Sequence, residues 1–190
     1  VASVVDNVGS STIQGAEFEG SFRIVPELTA NVAVGYTDAK FDKYLAFIPG
    51  APAVGGPCAD NAPAPPSASG CFVDVSNARS FQNTPKWTSY FGFTWNHDMG
   101  GAGSIAFTPS ASYRSHYQMF ETATPLLDQD SYWLYDASLI WTDAKGVYSV
   151  GLYGRNLSNE HYKVGGYNFP GAGYGDSVTS YYGNPRTFTV

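Results

Sequence analysis

Along much of this chain, apolar and polar residues alternate with a period of two, the pattern of a strand with one apolar face. Two stretches show it at length. Trp87 and Trp95 stand eight residues apart, as do Trp133 and Trp141, and these are the four tryptophans of the chain. An even spacing puts both members of a pair on the same face of a strand. Ser89, Phe91 and Phe93 share that face in the first stretch, and Tyr135, Ala137 and Leu139 in the second. Thr88, Tyr90, Gly92 and Thr94, or Leu134, Asp136, Ser138 and Ile140, fall on the other. Eight residues at about 3.3 Å each span roughly 26 Å, or about 20 Å of height at a tilt of about 40°. That is close to the apolar band of an outer-membrane barrel, with an aromatic residue at each boundary. A strand of a soluble sandwich has no use for this length.

The same alternation predicts further strands. Val1–Val5 comes first, then Ser11–Val25, with Ala16, Phe18, Phe22 and Ile24 on one face and Glu17, Glu19, Ser21 and Arg23 on the other. Charges at alternate positions suit a wet lumen better than a dry core. After the turn at Pro26-Glu27, a strand over Leu28–Tyr44 follows. The others are Lys86–His97, Ser104–His116, the stretch holding the second tryptophan pair, Val147–Leu157 and Thr179–Val190. Pro109 strains the fifth of these, because a proline nitrogen cannot donate to a ladder. The connections at 26–27, 98–103 and 143–146 are short, and those at 45–85, 117–130 and 158–178 are long. Outer-membrane barrels put short turns in the periplasm and long loops outside. On that rule Trp87 and Trp133 belong to an outer aromatic girdle, and Trp95 and Trp141 to a periplasmic one. The reading is an all-β, antiparallel transmembrane β-barrel segment of about eight strands.

Composition narrows the class. Charged residues make up 14% of the 190, aromatics 16% with 14 Tyr, and the mean hydropathy is slightly negative. Strands that alternate average to this while still presenting an apolar face to lipid. No run of 18 apolar residues predicts a transmembrane helix. Val1 to Asp6 has neither the basic start nor the apolar core of a signal peptide, so the expectation is a removed leader or an internal piece of a longer chain. A net charge of −6 with ten scattered Lys and Arg argues against nucleic acid as a partner. Cys58 and Cys71 flank a Pro- and Ala-rich stretch and suit a disulfide in an oxidising compartment, with two free thiols as the alternative.

Five stretches, in order, resemble the C-terminal part of the β-barrel of TonB-dependent outer-membrane receptors. Asn7-Val8-Gly9 with Gly15-Ala16-Glu17-Phe18-Glu19 is similar to the family's Asn-x-Gly then Gly-x-Glu strand. Val34-Gly35-Tyr36-Thr37-Asp38-Ala39-Lys40-Phe41 resembles the next strand, and Thr84-Pro85-Lys86-Trp87 the start of the one after. Arg155-Asn156-Leu157-Ser158-Asn159-Glu160-His161-Tyr162 matches the family's Asn-Leu-x-Asp/Asn-x-x-Tyr signature, the most specific of the five. Tyr182-Gly183-Asn184-Pro185-Arg186-Thr187-Phe188 resembles its terminal Pro-Arg-Thr/Ser strand. The resemblance implies a 22-stranded barrel, of which residues 1–190 would be the last third, with a few residues following Val190 up to a terminal aromatic. It implies a transporter with no cofactor and no catalysis, in the bacterial outer membrane. Such a receptor imports a scarce small-molecule nutrient (siderophore-iron or a similar chelate, cobalamin or an oligosaccharide). Its implied partners are outer-membrane lipid, its own plug domain and remaining strands, and the TonB complex through the N-terminal part. A self-contained eight-stranded structural or adhesion barrel and a secreted β-sandwich binding module remain as alternatives.

Candidate residues fall into two groups. Glu17, Glu19, Arg23, Arg114 and Arg155 are expected to face the lumen or the plug, or to be a plain solvated wall. For Arg114, Arg155 and the neighbouring Asn156 a structural role is favoured. Tyr117, Phe120, Tyr162, Tyr167, Phe169 and Tyr174 in the long loops are expected to offer aromatic area to a ligand, with loop self-packing as the plainer reading. His97, His116 and His161 are far apart in sequence, so no metal site is expected, and no Gly-x-Ser-x-Gly, His-Glu-x-x-His or phosphate-loop motif is present.

Overall fold

The computed structural model describes residues 9–49, 70–169, 173 and 175–190. Ten strands form in chain order: β1 (Gly9–Val25), β2 (Leu28–Pro49), β3 (Gly70–Asp74), β4 (Trp87–Asp98), β5 (Ser104–Arg114), β6 (Tyr132–Thr142), β7 (Ser149–Arg155), β8 (Lys163–Phe169), β9 (Ser177–Tyr182) and β10 (Thr187–Thr189). Seven of them make one antiparallel wall in the order β1-β2-β4-β5-β6-β7-β10. Its two outermost strands, β1 and β10, do not pair with each other among the described residues, so this wall does not close into a small barrel.

The register sorts the side chains into two faces. Trp87 is paired with Tyr36, Phe91 with Val32, and Trp95 with Leu28. Tyr36 in turn faces Ala16, and Val34 faces Phe18. On the other side Tyr113 meets Trp133, Phe107 meets Leu139, and Ile105 meets Trp141. Direct partners share a face, so these residues form one continuous apolar surface. All four tryptophans lie on it and are between 36% and 48% exposed, which excludes a position between two packed sheets. Glu17, Glu19, Arg23, Asn31, Thr88, Ser110, Ser112, Arg114, Asp136 and Ser138 occupy the opposite, polar face.

The two tryptophan pairs are offset. Trp133 stands in register with Ser89 rather than Trp87, and Trp141 with His97 rather than Trp95. Two residues over two inter-strand gaps correspond to about 6.6 Å along the strand for about 9.6 Å across, a tilt of roughly 35°. At that tilt both pairs come level, as strand stagger in a barrel requires.

Several expected boundaries shift for physical reasons. Val1–Val5 lies outside the described residues. β2 runs five residues past Tyr44, because β3 returns from the long connection and pairs Leu45 with Asp74 through Pro49 with Gly70. The described residues of the connection at 45–85 are therefore a raised hairpin base followed by a short 3-10 turn at Ser76–Ala78. The expected last strand splits in two. Pro185 interrupts it, so β9 pairs with β8 in a separate hairpin while β10 pairs with β7. Part of the expected loop 158–178 is thus strand. Pro109 does sit within β5, and the β5–β6 ladder runs through it opposite Ala137. The β4–β5 ladder skips from the Gly92–Ser110 pair to the Trp95–Phe107 pair, which accommodates the missing N–H.

The turns are held by carboxylates. Asp143 accepts from the backbone N–H of Tyr148 at 2.6 Å and of Lys145 at 3.1 Å, and these bonds hold its pKa below the ordinary value. Trp141 Nε1 donates to the Ala102 carbonyl of the neighbouring turn at 2.9 Å. Arg23 Nη2 donates to the Pro26 carbonyl at 2.9 Å, so this side chain closes a turn.

Candidate functional site

At the loop end the sheet carries its one cluster of buried apolar side chains among the described residues. Tyr117, Met119, Leu127 and Tyr132 form it, with Phe120, Leu134, Tyr162 and Val178 packed around. Leu127 has no exposed surface. A local turn places it: the Leu127 and Asp128 N–H groups both donate to the Thr124 carbonyl, at 2.7 and 2.8 Å. The β8–β9 hairpin closes over it, and Gly166 permits the contact, since a Cβ there would stand 2.6 Å from Leu127 Cδ2. Tyr117 and Gln129 exchange backbone hydrogen bonds of 3.0 Å. Gln129 Oε1 accepts from Lys163 N at 2.6 Å, and Lys163 Nζ donates to the Asp128 carbonyl at 2.8 Å.

A second set of bonds ties this cap to the raised end of β2. The Tyr44 hydroxyl donates to Glu121 at 2.6 Å, with the Arg79 guanidinium 5.5 Å from the tyrosine ring centre. That hydrogen bond, with burial and the Glu121 charge behind it, pushes the Tyr44 hydroxyl above its ordinary pKa. Phe41 stacks on Phe81 at 4.3 Å, and the Ser80 N–H donates to the Glu121 carbonyl at 2.9 Å. The long connections thus meet one another rather than standing apart.

Between the cap and the polar face lies a cavity of about 740 Å³. Glu17 on β1, Tyr90 on β4, Ser112 and Arg114 on β5, Tyr132 on β6, and Tyr117 and Tyr162 from the cap line it. It offers ring faces, hydroxyls and one charge of each sign. Such a surface suits reversible recognition of a polar, partly flat molecule.

The predicted residues separate accordingly. Glu17, Arg114, Tyr117 and Tyr162 come together at this cavity. Phe120 packs into the cap. Glu19 lies further down the polar face beside Tyr90. Arg155 pairs with Thr187 at the sheet edge, away from the cavity. Tyr167 and Phe169 form an exposed patch on β8 with ring centres 5.8 Å apart, joined by Tyr181 at 5.9 Å from Tyr167. Tyr174 lies outside the described residues. Cys71 is buried on β3 and is no free thiol, while Cys58 lies outside the described residues. Sequence reasoning missed Tyr90, Tyr132 and Leu127. The first two belong to strands read for their apolar faces. Leu127 sits in a stretch with no period at all.

The Asn156 signature turns out to be a knot. Asn156 is buried with φ of +48°, its N–H donates to Asp136 Oδ1 at 2.8 Å, and its Oδ1 accepts from Glu160 N at 2.8 Å. Its Nδ2 donates to the Glu160 and Asn184 carbonyls at 2.9 and 3.0 Å. Asn159 Oδ1 accepts from Arg186 N at 3.0 Å. Tyr162 stacks on Tyr132 at 4.9 Å, and Gly183 lies so close that a Cβ there would overlap the Tyr162 ring. The two most recognisable stretches, 155–162 and 182–188, are therefore two halves of one join.

A wall with one lipid-compatible face, staggered girdle positions and tied long loops defines a segment of a transmembrane β-barrel. The family model for the TonB dependent receptor-like β-barrel matches residues 1–157, and the chain belongs to that family. The family's receptors are transporters and not enzymes. The crystal structure of the ferric yersiniabactin uptake receptor FyuA from Yersinia pestis aligns with a TM-score of 0.64 at 16% identity, over 96% of this chain. At that identity the likeness speaks for the fold. The chain spans 23% of the length of that receptor. No curated protein matches it in sequence.

Proposed function

We propose that residues 1–190 are the C-terminal portion of a 22-stranded receptor barrel in the bacterial outer membrane that imports a scarce nutrient. The nutrient is a siderophore-iron or similar chelate, cobalamin or an oligosaccharide, and the work is supplied through TonB acting on a plug domain carried elsewhere in the receptor. The connections at 45–85, 117–130 and 158–178 face the cell exterior. Trp87 and Trp133 then mark the outer girdle, Trp95 and Trp141 the periplasmic one. Glu17, Glu19 and Arg114 face the lumen or plug. A Cys58–Cys71 bridge would pin the raised hairpin above β3.

The observation that carries this reading is the placement of the cavity. It lies on the polar face at the loop end, under loops bonded to one another, where a solute entering from outside would first meet the wall. Mechanistically the segment binds and guides. Aromatic rings and hydroxyls hold the ligand, Glu17 and Arg114 orient it, and release follows when the plug moves.

The test is uptake by cells carrying the intact receptor, with labelled ferric chelate, cobalamin and oligosaccharide as probes. One probe should accumulate, accumulation should stop when the proton gradient is collapsed, and R114A together with Y162A should weaken it. Uptake of none of the three classes, or uptake indifferent to the gradient, would refute the reading.

A further inference from the structure

The apolar face carries one concavity that nutrient import leaves unused. It is a groove of about 210 Å³ between β5, β6, β7 and β10, lined by Phe107, Ala137, Leu139, Leu152, Gly154 and Phe188, with Leu157 at its upper end. Register makes its floor: Ala137, Gly154 and Phe188 form one row across three strands. Two small residues in that row leave a dip between larger neighbours. A Cβ on Gly154 would stand 2.7 Å from Leu157 Cδ2, so the floor is already as high as Leu157 allows.

Its height in the membrane follows from the tryptophan offset. A level line drops one residue per strand from Trp87 to Trp133, as the register shows. Continued over two more strands, the line passes Leu157 beyond β7 and Arg186 just before β10, given the pairs Ala137–Gly154 and Arg155–Thr187. Arg186 thus stands at girdle height, where lipid headgroups lie. It immediately precedes β10, two residues before Phe188 of the apolar face. Its Nη1 donates to the Leu157 carbonyl at 3.3 Å, which holds the guanidinium at the mouth of the groove. Arg186 is exposed and forms no ion pair among the described residues.

We propose that the groove and Arg186 form a site for one phosphate-bearing lipid of the outer leaflet, an acyl chain lying on the Ala137–Gly154 floor and the phosphate on the guanidinium. The planar fork of an arginine matches phosphate oxygens in pairs. An uncharged lipid satisfies the groove alone, and free phosphate the arginine alone. The proposal rests on the membrane reading of the sheet.

The intact receptor in detergent micelles is exchanged with phosphatidic acid, with diacylglycerol of the same chains, or with inorganic phosphate, and bound molecules are counted by native mass spectrometry. Wild type should retain phosphatidic acid over diacylglycerol by about fivefold, the effect of one basic side chain at an anionic lipid surface. R186Q should erase that preference, and A137F, which fills the floor and keeps the arginine, should reduce retention of both lipids. Equal retention of both lipids by wild type, indifference to either substitution, or retention of inorganic phosphate at the level of the lipid would each overturn the site. A receptor that stays monomeric in buffer without detergent would instead overturn the membrane reading on which the site rests.

Discussion

The wall and the cap are built from opposite physics. In the wall, Phe18, Phe91, Leu139 and Leu152 are exposed, and on the proposed reading their neighbours are lipid rather than protein. There the protein supplies backbone ladders and cross-strand pairs, and the bilayer supplies the apolar surroundings. In the cap, Leu127 and Tyr117 are buried by residues of the 117–130 and 158–178 connections and of β6. The cap is stabilised like a small globular core, whereas the wall depends on its solvent. A substitution should therefore report which of the two regimes its site belongs to.

The largest effect is expected where the two regimes join. Asn156→Ala removes three part-buried side-chain bonds, two to Glu160 and one to Asn184, a loss of roughly 4 kcal/mol. Thermal unfolding of the receptor in detergent measures it, and a shift no larger than that of a surface alanine would show that the knot is dispensable. Next comes the wall. Phe91→Arg, midway between Trp87 and Trp95 on the apolar face, should cost about 3 kcal/mol, while Ser138→Arg on the polar face should cost little. Denaturant unfolding from lipid vesicles compares the pair, and equal costs would erase the two-faced description. Leu127→Ala should lose about 2.5 kcal/mol by leaving a cavity in the cap. Hydrogen exchange should rise over 117–130 and 163–182 and stay unchanged in β4 and β5.

Smaller effects probe the ties of the cap. Tyr44→Phe should loosen residues 118–124 by about 1 kcal/mol, the net value of one hydrogen bond, seen as faster exchange of the Ser80 amide. Asp74 accepts from the backbone N–H of Ser76 at 3.0 Å and of Tyr44 at 3.1 Å, and these bonds depress its pKa. A depressed carboxylate contributes stability above its unfolded pKa, near 3.8. That contribution disappears as pH falls through the lower folded value. Protection of the Tyr44 and Ser76 amides should therefore hold at neutral pH and fall away only in strong acid, and Asp74→Asn should remove this pH dependence.

The wall was legible in sequence because a strand writes its faces into alternate positions. Trp87 to Trp95 and Trp133 to Trp141 could be read as spans, with the turns at Pro26 and Asp143 between spans, since period and turn chemistry are local. The signature at Asn156 was legible as a family mark, but its role was not, because its partners Asp136 and Asn184 are brought in by other strands. The candidate site was legible only in part. Glu17 and Arg114 carried a charge that named them, whereas Tyr90 and Tyr132 became site residues only once the register put them under the cap.

Sequence alone determined the class of the strands, which faces are apolar, where the turns fall and which family the chain belongs to. The first three follow from local spacing and from residues close in the chain, and the family from the resemblance carried by five stretches spread along it. Tertiary structure decided the split of the last strand at Pro185, the raised end of β2 against β3, the burial of Leu127 and the meeting of the long connections. It also decided the level line from Trp87 through Trp133 to Arg186. These depend on register and on contacts between residues far apart in sequence, and no local pattern encodes which strand will lie beside which.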